Sequence, residues 1–212
     1  TVNSPPTFTG VDSAVATVGR PFSVTVPVYD IDDDEVTITL DTTIPAGMTY
    51  NDQVDPVELA WTPTTEDHTA GGFAIGFTAI DGRSGVSTHN LQIIMNVEPR
   101  FSVDPSLTAI LGDEISHPIV ALDDDGGVVN VTAISGIVDT MSFAGGVFSW
   151  TPDEDDIAGS PYRITFRATD EHGISVTSVL TITLLEPPAP SGGGGGGGGG
   201  CFIDSLGAKS AL

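Results

Sequence analysis

Lysine is nearly missing from this chain. Lys209 is the only one, and Lys and Arg together number 6 against 29 Asp and Glu, for a formal charge of −23. With no lysine before residue 209, the body of the chain can hold neither a Lys–Asn isopeptide crosslink nor a Schiff-base lysine. With no clustered basic residues it lacks the footprint for nucleic acid or an anionic membrane. Cysteine is as scarce: Cys201 stands alone, which excludes an intrachain disulfide and leaves the redox compartment unreadable. No stretch approaches the ~20 apolar residues of a membrane-spanning helix, and no apolar stripe recurs at helical spacing. Thr1 is not a methionine, which is expected of a mature chain whose export signal has been removed.

What is present is enough apolar residue for packed cores, 39% of 212 residues, and an internal repeat. Trp61 to Asp81 and Trp150 to Asp170 are both steps of 20, and Phe8, Gly19, Asp30 and Met48 match Phe101, Gly112, Asp123 and Met141 at an offset of 93. "VEP" at Val97–Pro99 is echoed by "LEP" at Leu185–Pro187. A duplicated module follows, with domains expected at 1–97 and 98–186 and a Pro/Gly-rich tail at 187–212. Within each repeat the apolar period is two: Phe22, Val24, Val26, Val28; Phe73, Ile75, Phe77, Ala79; Tyr162, Ile164, Phe166, Ala168; Leu180, Ile182, Leu184. Such alternation, broken by Pro, Gly and Asp, marks half-buried antiparallel strands. About seven strands per module predict an all-β chain of two tandem Ig-like or cadherin-like β-sandwiches.

The runs Val26–Thr37 ("VPVYDIDDDEVT"), Pro45–Met48, Trp61–Thr64 and Phe77–Gly82 resemble the bacterial putative-Ig and cadherin-like repeats of exported proteins, over nearly all of residues 1–186. The tail, nine glycines from Gly192 to Gly200 and then Cys201, Phe202 and Ile203, is similar to the C-terminal box beginning Cys-Phe-Ile on some bacterial surface proteins. There Ala and Thr usually follow, whereas here Asp204, Ser205 and Leu206 do. The resemblance implies an extracellular or cell-surface protein.

The acidic runs carry the most chemistry. Asp30, Asp32, Asp33 and Asp34 in the first repeat match Asp123, Asp124 and Asp125 in the second. One reading is a solvated acidic turn. The other is calcium, a hard cation taking six to eight oxygens. An up-and-down count of strands puts each B–C loop at the same pole as the F–G loop bearing Asp81 or Asp170. The second module's pole then abuts the first module, whose E–F loop holds Glu66 and Asp67. A calcium ion there would neutralise carboxylates that otherwise repel and would rigidify the pair, as in cadherin-like arrays. Against it, the linker "NVEPRF" has none of the Asn/Asp-rich character of a cadherin linker.

Other residues point to no chemistry. Trp61 and Trp150 fall at matching strand positions and are expected in the cores rather than as sugar platforms. His68, His89, His117 and His172 show no metal spacing and are expected at the surface. Neither GxSxG nor a Walker-type GK[ST] occurs, so no enzyme is expected. Asn130-Val131-Thr132 matches a glycosylation sequon but sits in a predicted strand. Cys201 fits a lipid, disulfide or processing site, or a small buried hydrophobe. Glycine contributes no side-chain burial, and nine extended residues span about 30 Å. With Phe202, Ile203 and Leu206 as an apolar plug, the tail is expected to be an assembly element docking on another copy of the chain. Expected functions are therefore a homopolymeric extracellular filament subunit, or a calcium-rigidified adhesin stalk or carbohydrate-binding module.

Overall fold

The computed structural model describes residues 2–52, 56–69 and 71–188; the glycine run and the segment Cys201–Leu206 lie outside the described residues. Among the described residues strand dominates, at 51% against 6% helix, as the period-two pattern requires.

The first sandwich contains β1 (Thr7–Phe8), β2 (Ser13–Thr17), β3 (Phe22–Val26), β4 (Val28–Tyr29), β5 (Val36–Leu40), β6 (Thr49–Asn51), β7 (Val57–Trp61), the short helix α1 (Thr65–Thr69), β8 (Phe73–Asp81) and β9 (Val86–Asn96). The second repeats it with β10 (Arg100–Phe101), β11 (Ser106–Ile110), β12 (Ile115–Pro118), β13 (Ala121–Leu122), β14 (Asn130–Ser135), β15 (Met141–Ala144), β16 (Val147–Trp150), a 3-10 turn at Glu154–Gly159, β17 (Tyr162–Thr169) and β18 (Ser175–Leu185). Each module packs a four-stranded sheet, β2-β9-β8-β5 or β11-β18-β17-β14, on a three-stranded one, β3-β7-β6 or β12-β16-β15.

One feature departs from the antiparallel expectation. β2 runs parallel to β9, and β11 parallel to β18. The reason is local. The entering chain first pairs with the three-stranded side as the β1–β4 ladder, then crosses at Gly10 to the other sheet. Gly10 passes close over Pro27, where a Cβ would come within 3.2 Å of the proline ring. Pro27 itself, lacking an N–H, separates β3 from β4.

The alternating residues form two separate cores. Phe77, Leu59, Ile75 and Ile93 are at most 1% exposed in the first, and Phe148, Phe166, Ile164 and Ile182 in the second. Each such side chain contributes roughly 1.5–3 kcal/mol by leaving water. Trp61 and Trp150 lie in these cores, meeting Phe73 and Tyr162 edge-on with ring centroids 5.5 and 4.8 Å apart. They are packing residues and offer no sugar platform.

Candidate functional site

Both modules end their N-terminal pole in a polar cage. In the first, Asp30 follows β4 and turns its side chain back on its own loop. Its Oδ1 accepts from the Asp32 and Asp34 amides at 2.9 and 3.3 Å. Asp33 completes the turn at φ +58°, a left-handed conformation that Asp tolerates better than most residues. Facing this loop, Asp81 ends β8, and its Oδ1 accepts from the Arg83 and Gly85 amides, both at 2.8 Å. A Cβ on Gly85 would collide with Asp81 Oδ2 and Asn3 Nδ2, so glycine is required there.

The entering segment closes the cage. Asn3 donates to Asp81 Oδ2 at 2.9 Å, and the Ser4 amide donates to Asp32 Oδ2 at 2.8 Å. One oxygen each from Asp30, Asp32 and Asp34 lie within 4.8 Å of one another. Asp30 is only 6% exposed, yet its Oδ2 has no hydrogen-bond partner; nor have Asp34 Oδ2 and Asn3 Oδ1. Arg83, half exposed, pairs with Asp34 Oδ1 at 3.3 Å. Burial pushes the Asp81 carboxyl up, but the bonds from Asn3 and the Gly85 and Arg83 amides outweigh it and hold it below the ordinary carboxylate value.

The second pole repeats most of these bonds, except that the Gly127 amide, which stands where Asp34 does, donates to Asp125 Oδ1 rather than to Asp123. Asp123 Oδ1 accepts from the Asp125 amide at 3.3 Å, and Asp170 Oδ1 from the His172 and Ile174 amides at 3.0 and 2.7 Å. Asn96 donates to Asp170 Oδ2 at 3.0 Å, and the Val97 amide to Asp125 Oδ2 at 3.0 Å. Asn96 is completely buried, and its Oδ1, like Asp123 Oδ2, has no partner. Burial first, then the neighbouring Asp125 and the charge of Asp170, push the Asp123 carboxyl up. Asp125 moves the other way: burial is outweighed by the Val97 amide, Asp123, the Gly127 amide and His172.

The structure places the B–C and F–G acids at one pole, with Val36 paired to Asp81 and Arg83 reaching Asp34, and it holds Asp67 at the start of α1. Asp67 Oδ2 takes the Thr64 amide and hydroxyl at 2.8 and 2.7 Å, capping α1. Among the described residues no hydrogen bond or ion pair joins Glu66 or Asp67 to the second pole. The first module's contributions across the junction are Thr17, which accepts from Asn96 at 3.4 Å, and Arg20, which pairs with Glu98 of the linker. Asp124 is turned outward to Arg100, 3.1 Å away. Asn3 and Asn96 were not singled out from sequence, although they stand at the repeat offset of 93.

The histidines are not the surface residues expected; all four are partly buried. His89 stacks on Phe8 at 5.2 Å and bonds the Val11 carbonyl through Nε2 at 3.1 Å, so an aromatic partner covers it. A groove of about 950 Å³ opens between β14 and β15, lined largely by apolar side chains such as Val131, Met141 and Phe143. Among the described residues it brings together no nucleophile and base.

No protein-family model and no curated protein matches this sequence. Solved structures do. A three-Ig fragment of titin superposes with a TM-score of 0.51 at 16% identity, covering 88% of this chain and 68% of that one. Extracellular domains 3–5 of Drosophila OTK give 0.56 at 13% identity, covering 86% and 63%. An endo-fucoidan hydrolase of glycoside hydrolase family 107 is 21% identical, but this chain spans 29% of it and the TM-score of 0.37 carries no argument. At such identities the likeness concerns fold alone: the described residues form a tandem pair of Ig-like β-sandwiches.

Proposed function

We infer that this chain is a structural component of an extracellular assembly, a stiff two-sandwich rod joined to further copies through its C-terminal segment. The observation that supports the rod is the junction. Asn96, the last residue of β9, is buried, and its side-chain nitrogen donates to Thr17 of the first module and to Asp170 of the second. Only Val97, Glu98 and Pro99 separate β9 from β10, and two of these are tethered, Val97 to Asp125 and Glu98 to Arg20. A linker so short and so bonded transmits orientation, which suits a spacer and gives a catalyst nothing.

The assembly step rests on sequence. Phe202, Ile203 and Leu206 form an apolar plug on a glycine tether, and the sandwich edges accept an added extended segment through main-chain bonds. A head-to-tail contact of that kind does not close on itself and propagates as a filament. The second reading, an adhesin stalk or carbohydrate-binding module on the cell surface, uses the same rod and needs no self-association. Truncation after Pro190 separates them. The full chain is expected to form concentration-dependent polymers in analytical ultracentrifugation and negative-stain images, and the truncated chain to stay monomeric. Equal behaviour of the two would remove the tail from assembly and leave the stalk.

A further inference from the structure

The two modules part ways at one edge of the sandwich. β5 and β6 are outer strands of the first module's two sheets, and β14 and β15 of the second's. In the first module Tyr50 of β6 closes the side between them, its hydroxyl donating to the Ile38 carbonyl of β5 at 3.0 Å. The matching residue of β15 is Phe143, which faces Phe148 as Tyr50 faces Leu59. Val131 stands where Ile38 does, opposite Ala168 as Ile38 is opposite Ala79. Phe143 has no hydroxyl to send to the Val131 carbonyl. Its ring turns instead to Phe166, edge-on at 5.0 Å, and the groove of about 950 Å³ lies open between β14 and β15.

Charge separates the two sides as well. Among the described residues lining the groove none is acidic or basic, and Val120 and Ile137 are left exposed on it. The recess beside β5 in the first module is lined instead by Asp30, Asp33, Asp34, Glu35 and Asp52. On a chain of formal charge −23, the β14–β15 groove is a place where an apolar partner can dock without stripping water from a carboxylate.

We propose that the groove between β14 and β15 receives the Cys201-Phe202-Ile203 segment of a second copy of this chain, with Phe202 as its anchor. This rests on the assembly reading above and names the acceptor surface that reading leaves open. Residues 187–203 carry no charge, so the segment matches the groove in polarity. β14 ends its sheet, and the main-chain groups on its outer side can pair with an added extended segment while the groove takes alternate side chains. Glycines ahead of Cys201 put no side chain between the two backbones. The length of the tether favours a neighbour over the chain's own groove. β14 lies two strands from β18, a step of about 10 Å. Residues 189–201 separate Pro188, the last described, from Phe202, and extended they reach about 45 Å. That is several times the step to the chain's own groove and enough to pass the end of the module to another copy. With the first module's side closed by Tyr50 and lined by acids, each chain offers one tail and one acceptor, which gives an unbranched head-to-tail filament.

The test mixes full-length variants. Phe202→Asp spoils the tail and keeps the groove; Ile137→Asp puts a charge on the exposed rim of the groove and keeps the tail. Each alone is expected to raise the concentration needed for polymers by about tenfold or more in sedimentation velocity, with an unchanged circular dichroism spectrum. Mixed one to one they should form a dimer and nothing larger, because one intact tail then meets one intact groove. In that mixture the amide shifts of the ¹⁵N-labelled Phe202→Asp chain should move along β14 and β15. Phe143→Tyr, a conservative change that supplies the hydroxyl the first module uses to close this side, should weaken polymerisation by roughly fivefold, the factor of one hydrogen bond, and serves where Ile137→Asp disturbs the sandwich. Polymers that form normally from the Ile137→Asp and Phe143→Tyr chains, while truncation after Pro190 abolishes them, would overturn this groove and leave tail-driven assembly standing. A mixture that stays monomeric, or shifts centred on β11 or another edge, would overturn docking between copies at this surface. A full chain that forms no polymer at all would overturn the assembly reading and this acceptor with it.

Discussion

Phe148→Ala is expected to cost the second sandwich about 3–5 kcal/mol and to leave the first nearly untouched. Phe148 is fully buried at the centre of β16, with the alternating residues of β17 and β18 packed in the same cluster. Removing the ring forfeits its transfer free energy and opens a cavity that two hydrogen-bonded sheets cannot close over. Domains of this size are stable by only about 5–15 kcal/mol, so the loss is a large share of the total. Phe77 anchors a separate cluster that shares no residue with the first, and the junction joins the modules by a handful of hydrogen bonds worth about 1 kcal/mol each. Differential scanning calorimetry should therefore show the second module's transition moved well below the first module's. One transition displaced as a whole would mean that the sandwiches unfold as a single unit.

Asp170→Ala is expected to cost roughly 3 kcal/mol, although it removes no core atom. Its carboxylate accepts the His172 and Ile174 amides and the buried Asn96 amide nitrogen. Hydrogen bonds to a charged group contribute about 1.5–3 kcal/mol each, and donors stranded away from water add a desolvation cost. Relief of repulsion with Asp123 offsets part of the loss, since the Asp170 charge raises the Asp123 carboxyl. The second module's melting temperature should fall by roughly 10–25 °C. Asp170→Asn keeps an acceptor for the two loop amides and should fall by less. A loss below about 1 kcal/mol for the alanine variant would show that solvent satisfies the F–G loop.

The period-two runs and the offset of 93 made the sandwiches and their duplication legible, because a half-buried strand has to alternate whichever neighbour it pairs with. For the same reason the pattern was silent on partners, and the parallel pairing of β2 with β9 and β11 with β18 came only with the structure. The Asp runs announced themselves by composition, and strand counting set them opposite Asp81 and Asp170. Asn3 and Asn96 did not, since a single uncharged residue in a linker has no periodicity or charge to mark it; their match at the repeat offset was the available signal. Asp67 serves a Thr-x-x-Asp cap on α1, a local role that its sequence spacing also signals.

The proposed rigidity of the junction is tested most directly by residual dipolar couplings of the backbone amides in the weakly aligned full chain. With Asn96 bridging Thr17 and Asp170, couplings from β2, β8 and β9 and from β11, β17 and β18 should fit one alignment tensor, and Asn96→Ala should split them into two. Two tensors of different magnitude in the unmodified chain would mean that the modules reorient freely, and would contradict the rod.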